Sequence, residues 1–215
     1  MSKITFKLFI GLMVLLTGFS SNAQTNLFEH PDFESIAKDH KKIAIIPFQA
    51  KVKLRPKQMK EITVEDLKEL EKGEGLAIQS SMYSWFLKRK KRGDLFIDVQ
   101  DPKRTNALLY QNNIEDTALH TSEELAEILG VDAVISGNFE TDKPMSEGAS
   151  IALGLLVGFW GTTNSATINM SVNNAGTGEL LWNYNKRVAG GLGSSTDQLI
   201  NKLMRKASRR LAYTK

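Results

Sequence analysis

The chain has 215 residues, no cysteine, and 28 Lys and Arg against 24 Asp and Glu. That length suits one sizeable domain with its own core. The missing cysteines exclude disulfides and thiol chemistry, and the small net charge excludes a dedicated nucleic-acid binder.

Residues 1–23 carry an export pattern: Lys3 and Lys7, an apolar run over 8–16, Gly18, then Ser21-Asn22-Ala23. The apolar run is too short to span a bilayer, so it predicts a cleaved signal peptide and a mature chain starting at Gln24. Without Lys3 and Lys7 the remainder has 26 basic and 24 acidic side chains, a net +2. No lipid-bearing cysteine follows the tag, so the expected location is exported and periplasmic, or outer-membrane-associated, with no lipid anchor.

Residues 24–40 read as a polar, poorly ordered lead-in with a short helix near 33–37. Residues 41–48 are a compact β-branched run ending at Pro47-Phe48, the pattern of a buried strand. Residues 51–60 read as a basic loop around Pro56. Thr63 is placed to cap a long helix from Val64, with a break expected near Gly73 and Gly75. Ile78, Met82, Trp85 and Phe86 share one face of it, and Leu76, Tyr83 and Leu87 widen that face. Lys88, Arg89, Lys90, Lys91 and Arg92 followed by Gly93 are helix-stop signals.

Residues 94–99 predict a second strand. Asp101-Pro102 opens a helix carrying Ala107, Leu108 and Leu109. Thr121-x-x-Glu124 is a capping-box pattern opening a short helix closed by Gly130. Residues 131–139 predict a third strand. Over 165–172, Ile168, Met170 and Val172 alternate with Thr167, Asn169 and Ser171. Residues 173–179 read as a turn, and 180–185 return with Leu180, Trp182 and Tyr184 on one side. Ser195-x-x-Gln198 is another capping-box pattern, ahead of a final helix with Leu199, Leu203, Ala207 and Leu211 on one face. The expected fold is a single α/β domain over 41–215: a mixed sheet of about five strands flanked by helices, with a C-terminal antiparallel hairpin and a C-terminal helix.

Three segments carry a family likeness: Lys42-Ile-Ala-Ile-Ile-Pro-Phe48, the strand and helix over 94–109, and the helix, Gly-Val-Asp turn and strand over 122–137. The return over 177–182 fits as well. In this order they resemble the periplasmic α/β domain of the curli-secretion channel CsgG and the envelope proteins of that type, LpoB and the amino-terminal domain of TolB. The resemblance implies an envelope protein that assembles with partners and performs no catalysis. The chain departs from it in having no lipid-bearing cysteine and no pair of long alternating hairpins of the kind a pore needs.

The residues supply little chemistry. His30, His40 and His120 fall at no metal-ligand spacing. Ser194-Ser195 lacks a nucleophile-elbow setting, and Gly190-Gly191-Leu192-Gly193 lacks the rest of a phosphate loop. Glu65-Asp66 and Glu123-Glu124 read as first-turn helix acids. No catalytic, metal or cofactor residue is assigned. Lys88, Arg89, Lys90, Lys91 and Arg92 are candidates for contact with an anionic surface, against the plain reading of a solvated helix end.

Residues 148–161 form an apolar, Gly-rich insert. Burying Leu153, Leu155, Leu156, Val157, Phe159, Trp160 and Ile151 releases on the order of 10–20 kcal/mol, so this segment does not rest in water. Gly154 and Gly158 would give a helix a smooth packing face; a period-2 reading gives a strand instead. Its own domain, another subunit or a membrane surface would each bury it. The expected function is a non-enzymatic, exported cell-envelope binding and assembly module, working by self-association or with an envelope protein partner and peripheral membrane contact. The alternative is a subunit of an outer-membrane secretion complex related to the curli channel.

Overall fold

The computed structural model describes residues 25–54, 56–60, 62–141, 165–189, 196–207, 209–211 and 213–214. The expected signal peptide, the insert at 148–161 with Leu153, Gly154, Leu155, Leu156, Val157, Gly158, Phe159 and Trp160, and Ser194-Ser195 lie outside the described residues. In chain order the elements are β1 (Thr25–Glu29), α1 (Phe33–Asp39), β2 (Lys42–Ile45), β3 (Gln49–Val52), α2 (Pro56–Met59), α3 (Val64–Lys91), β4 (Asp98–Val99), α4 (Pro102–Gln111), a 3-10 turn (Thr117–Leu119), α5 (Ser122–Leu129), β5 (Ala133–Thr141), β6 (Ser165–Asn174), β7 (Leu180–Ala189) and α6 (Thr196–Ala207).

All seven strands join one mixed sheet in the order β1-β7-β6-β5-β2-β4, with β3 also on β5. β2 pairs parallel with β4 and β5, while β5, β6, β7 and β1 pair antiparallel. The chain leaves β2 for β4 through α3, then returns past β2 to β5 through α4 and α5. Strand order reverses at β2, and right-handed crossovers therefore fall on opposite faces of the sheet. One face packs Ile43, Ile45, Ile135, Ile168, Met170 and Trp182 against Ile78, Met82 and Phe86 of α3 and Leu203 and Ala207 of α6. The other packs Ala44, Ile46 and Val134 against Leu109 of α4 and Leu125 and Leu129 of α5.

Local signals account for the helix ends. Thr63 and Thr121 both form capping boxes, with Asp66 and Glu124. Asp101 caps α4 through Lys103 N, with Pro102 in its first turn. Gly130 ends α5 at φ 63° and Gly93 follows α3 at φ 75°, backbone conformations that favour glycine.

Four expectations change. The lead-in is more ordered than expected: besides its expected short helix, α1, which buries Phe33 and Ala37, it forms β1, paired along β7 from Thr25 to Glu29. The expected loop at 51–60 yields part of β3 and the short α2, so the sheet has seven strands rather than about five. The expected strand at 94–99 contracts to Asp98–Val99, although Leu95 and Ile97 are buried and Phe96 is exposed as its alternation implied. The long helix runs unbroken through both glycines; Leu76 and Leu87 are exposed, so its buried face is the narrower Ile78, Met82 and Phe86 stripe.

Gly75 explains the continuity. A Cβ there would lie 2.0 Å from Phe48 O, whereas one at Gly73 would meet nothing within 4 Å. The helix tolerates Gly75 because close packing on the β2–β3 connection requires it. Gly75→Ala should lower stability by more than about 2 kcal/mol through overpacking, and Gly73→Ala should raise it by about 0.5–1 kcal/mol through helix propensity. Denaturant melts of the two variants check this pair.

His40 and Tyr213 close one end of the core. The Tyr213 hydroxyl lies 2.6 Å from His40 Nδ1, and its ring meets Phe33 edge-on at 5.3 Å. Burial holds the His40 pKa below the usual histidine value, opposed by the Asp132 and Asp39 carboxylates. The unfolded chain therefore takes up a proton near pH 6.5 that the folded chain resists, so stability falls as pH drops below about 6.5 and is recovered as pH rises. The denaturation midpoint should decline between pH 7 and 5, and His40→Gln should flatten that slope.

Candidate functional sites

Two surfaces stand out, one on each face of the sheet. The first is basic. The last turns of α3 lie beside α6, joined by Trp85 Nε1 donating to Asn201 Oδ1 at 3.1 Å. Lys88 Nζ sits 5.1 Å over the Trp85 ring. Lys88, Lys91 and Arg92 are exposed, as are Lys202, Arg205, Lys206, Arg209 and Arg210. Among the described residues, none of these eight cations has a carboxylate within ion-pairing distance.

Two members of the basic run behave differently. Arg89 is buried, and its guanidinium faces Asp94 at 3.8 Å. Burial lowers its pKa, Asp94 raises it, and Arg209 and Arg92 lower it further. Lys90 is paired with Asp98. The structure thus separates the five candidates into three outward cations and two that tie α3 to the segment entering β4. Sequence spacing gives no sign of this, because the acids that select Arg89 and Lys90 lie beyond the helix.

α6 supplies the part of the surface that the run at 88–92 does not announce. Lys202 and Lys206 of α6, with Arg210 just past its end, recur every four residues and face the buried Lys186 of β7. Burial lowers the Lys186 pKa, and Lys206, Arg210 and Lys202 lower it further by like-charge repulsion. An anion brought to this surface would relieve that repulsion.

The second surface is polar, built mainly of amide and hydroxyl groups, with the Asp116 carboxylate bonded at its rim. Past the end of β2, a cleft of about 230 Å³ opens between the sheet and the α5 side. Gln49, Ser136, Asn138, Asn169 and Ser171 line its floor, and Thr117, His120 and Ser122 its wall. Asn183 Nδ2 donates to Asn169 Oδ1 at 2.7 Å and Ser171 Oγ at 2.9 Å. Gln49 Nε2 donates to Asp116 Oδ1 at 3.0 Å, which fixes the Gln49 amide. The alternation of Thr167, Asn169 and Ser171 marks a polar face in the sequence, but it does not say that β5, β7 and β3 bring their own polar residues into line with it.

Among the described residues there is no group of three or more His, Asp or Glu placed to hold a metal, and no helix is long and apolar enough to cross a membrane. His40 bonds Tyr213, and His30 and His120 face Glu179 and Glu124 at 3.3 and 3.5 Å.

No family model matches this chain, and no curated protein matches it. Among solved structures it is similar to the lipoprotein GNA1162 from Neisseria meningitidis, at 16% identity over 80% of this chain and 96% of that one, with a TM-score of 0.43. It is also similar to the PelC dodecamer from Paraburkholderia phytofirmans, at 9% identity over 88% and 96%, with a TM-score of 0.43. A third similarity is to the LpoB C-terminal domain from Salmonella enterica, at 12% identity over 69% and 82%, with a TM-score of 0.33.

The division within the basic run has a measurable consequence. Arg89→Ala removes a partly buried pair and its packed stem and should cost about 1–2 kcal/mol, whereas Lys88→Ala, Lys91→Ala and Arg92→Ala should each stay within about 0.5 kcal/mol of the parent. Urea denaturation midpoints of the four variants distinguish the two roles.

Proposed function

We propose that this chain is an exported cell-envelope protein that works by binding and assembly rather than by catalysis, and that the α3–α6 surface is where it meets an anionic envelope partner. The observation that carries the reading is the set of eight exposed cations with no carboxylate of the described residues within ion-pairing distance. A solvated helix end accounts for the last turn of α3 alone. It does not account for a second helix placing its cations alongside, nor for the position of Lys186, buried next to them. The export pattern at residues 1–23 supports an envelope location.

The chemistry is electrostatic and sets its own scale. Each Lys or Arg near an anionic lipid surface contributes about 1 kcal/mol, and salt screens that attraction. The protein should sediment with vesicles containing phosphatidylglycerol at about 0.1 M salt, detach at about 1 M salt, and ignore pure phosphatidylcholine vesicles. The triple variant Lys88→Gln, Lys91→Gln, Arg92→Gln should weaken this partition about a hundredfold, from the loss of about 3 kcal/mol. Equal sedimentation of the parent with both vesicle types, or with neither, would remove the basic surface from the proposal.

A further inference from the structure

The polar cleft is one end of a longer feature. Gln49 of β3 lies opposite Asn138 of β5, Asn138 opposite Asn169 of β6, Asn169 opposite Asn185 of β7, and Asn185 opposite Asn26 of β1. Five carboxamides therefore form one row across five strands, on the face away from α3. The adjacent row runs Ser136, Ser171, Asn183 and Phe28, and Phe28 is 45% exposed. Among the described residues the side chains of Asn26, Asn138 and Asn185 have no hydrogen-bond partner within the protein.

We infer that this row is a binding site for a neutral, extended, β-linked polysaccharide, lying across the strands with one end in the cleft and a sugar face on Phe28. The site's chemistry matches such a ligand. A carboxamide both donates and accepts, as vicinal hydroxyls do, so Asn26, Asn138 and Asn185 can each hold two neighbouring hydroxyl groups, while Gln49 and Asn169 keep the groups not used by Asp116 and Asn183. The carboxamides carry no charge, the Asp116 carboxylate accepts from Gln49 at the cleft end, and the flanking Lys51, Glu140 and Arg187 are of mixed sign, so neither a nucleic acid nor an acidic chain is favoured. An exposed aromatic ring beside amides suits the C–H face of a pyranose.

Spacing selects the ligand further. Neighbouring strands lie about 4.8 Å apart, so two strand steps, about 9.6 Å, come close to the repeat of about 10 Å after which an extended β-linked chain presents the same sugar face again. An extended peptide crossing the strands would repeat on one face every 6.8 Å or so, and would drift out of step within two strands. The inference is independent of the basic surface, which lies on the opposite face of the sheet.

The test uses the isotope-labelled protein and three hexasaccharides: cellohexaose, N-acetylchitohexaose and maltohexaose. Side-chain amide signals of Asn138, Asn169 and Asn185 should shift with at least one of the two β-linked probes, and maltohexaose should bind at least about tenfold more weakly. Asn138→Ala, Asn185→Ala and Phe28→Ala should each weaken binding about threefold to tenfold, while Lys88→Gln leaves it unchanged. Asn138 and Phe28 are exposed, so these two variants report on the site even if Asn185→Ala folds poorly. No shift with either β-linked probe, equal binding of maltohexaose, or binding that survives both Asn138→Ala and Phe28→Ala would overturn the proposal.

Discussion

The sheet depends on one irregularity, the passage from β2 to β3 around Pro47. Ile45 lies opposite Ile135 and Gln49 opposite Asn138, so this edge holds one more residue than β5 over the same length. Proline has no N–H for a ladder, and a bulge is where a sheet tolerates it. The extra residue inverts the alternation: Ile43 and Ile45 face α3 before it, and Phe48 and Ala50 do so after it. Two glycines make room. A Cβ on Gly75 would meet Phe48 O at 2.0 Å, and one on Gly137 would meet Asn169 O at 2.3 Å and the Phe48 ring at 2.6 Å. Remove either glycine and Phe48 cannot seat. Without the inversion, Gln49 would point into the core instead of joining the amide row.

The bulge also separates the work of the two faces. The face toward α3 and α6 is deep and apolar, and its helices turn their cations outward. The opposite face is covered by α4 and α5 only where Ala44, Ile46 and Val134 supply apolar side chains. Beyond that patch the strands switch mostly to Asn, Ser and Thr, and a surface with little but Phe28 to bury offers a helix no continuous apolar face. The same composition that keeps helices off leaves hydrogen-bonding groups available.

Electrostatics follows from the packing. The end of α3 packs beside the segment entering β4, so Asp94 and Asp98 reach two of its five cations. Among the described residues the other three have no carboxylate within ion-pairing distance, and they join those of α6 and the residues just after it. A basic run that looks uniform is thereby divided into residues that hold the fold and residues that face outward.

Helix ends, buried strands and the hairpin were legible in the residues because their causes are local. Thr63 and Thr121 need only an acid three residues on, Gly130 needs only its own freedom at positive φ, and the 173–179 turn needs only its small polar residues. β1 and β3 were hidden for the converse reason. Thr25–Glu29 has no inward pattern of its own and becomes a strand because β7 offers an open edge, and Gln49–Val52 does so because β5 runs long enough to hold both β2 and β3. The asparagines show the limit most plainly: sequence places Asn26, Asn138, Asn169 and Asn185 in four separate segments, and only strand register, a property of pairing between distant segments, sets them side by side.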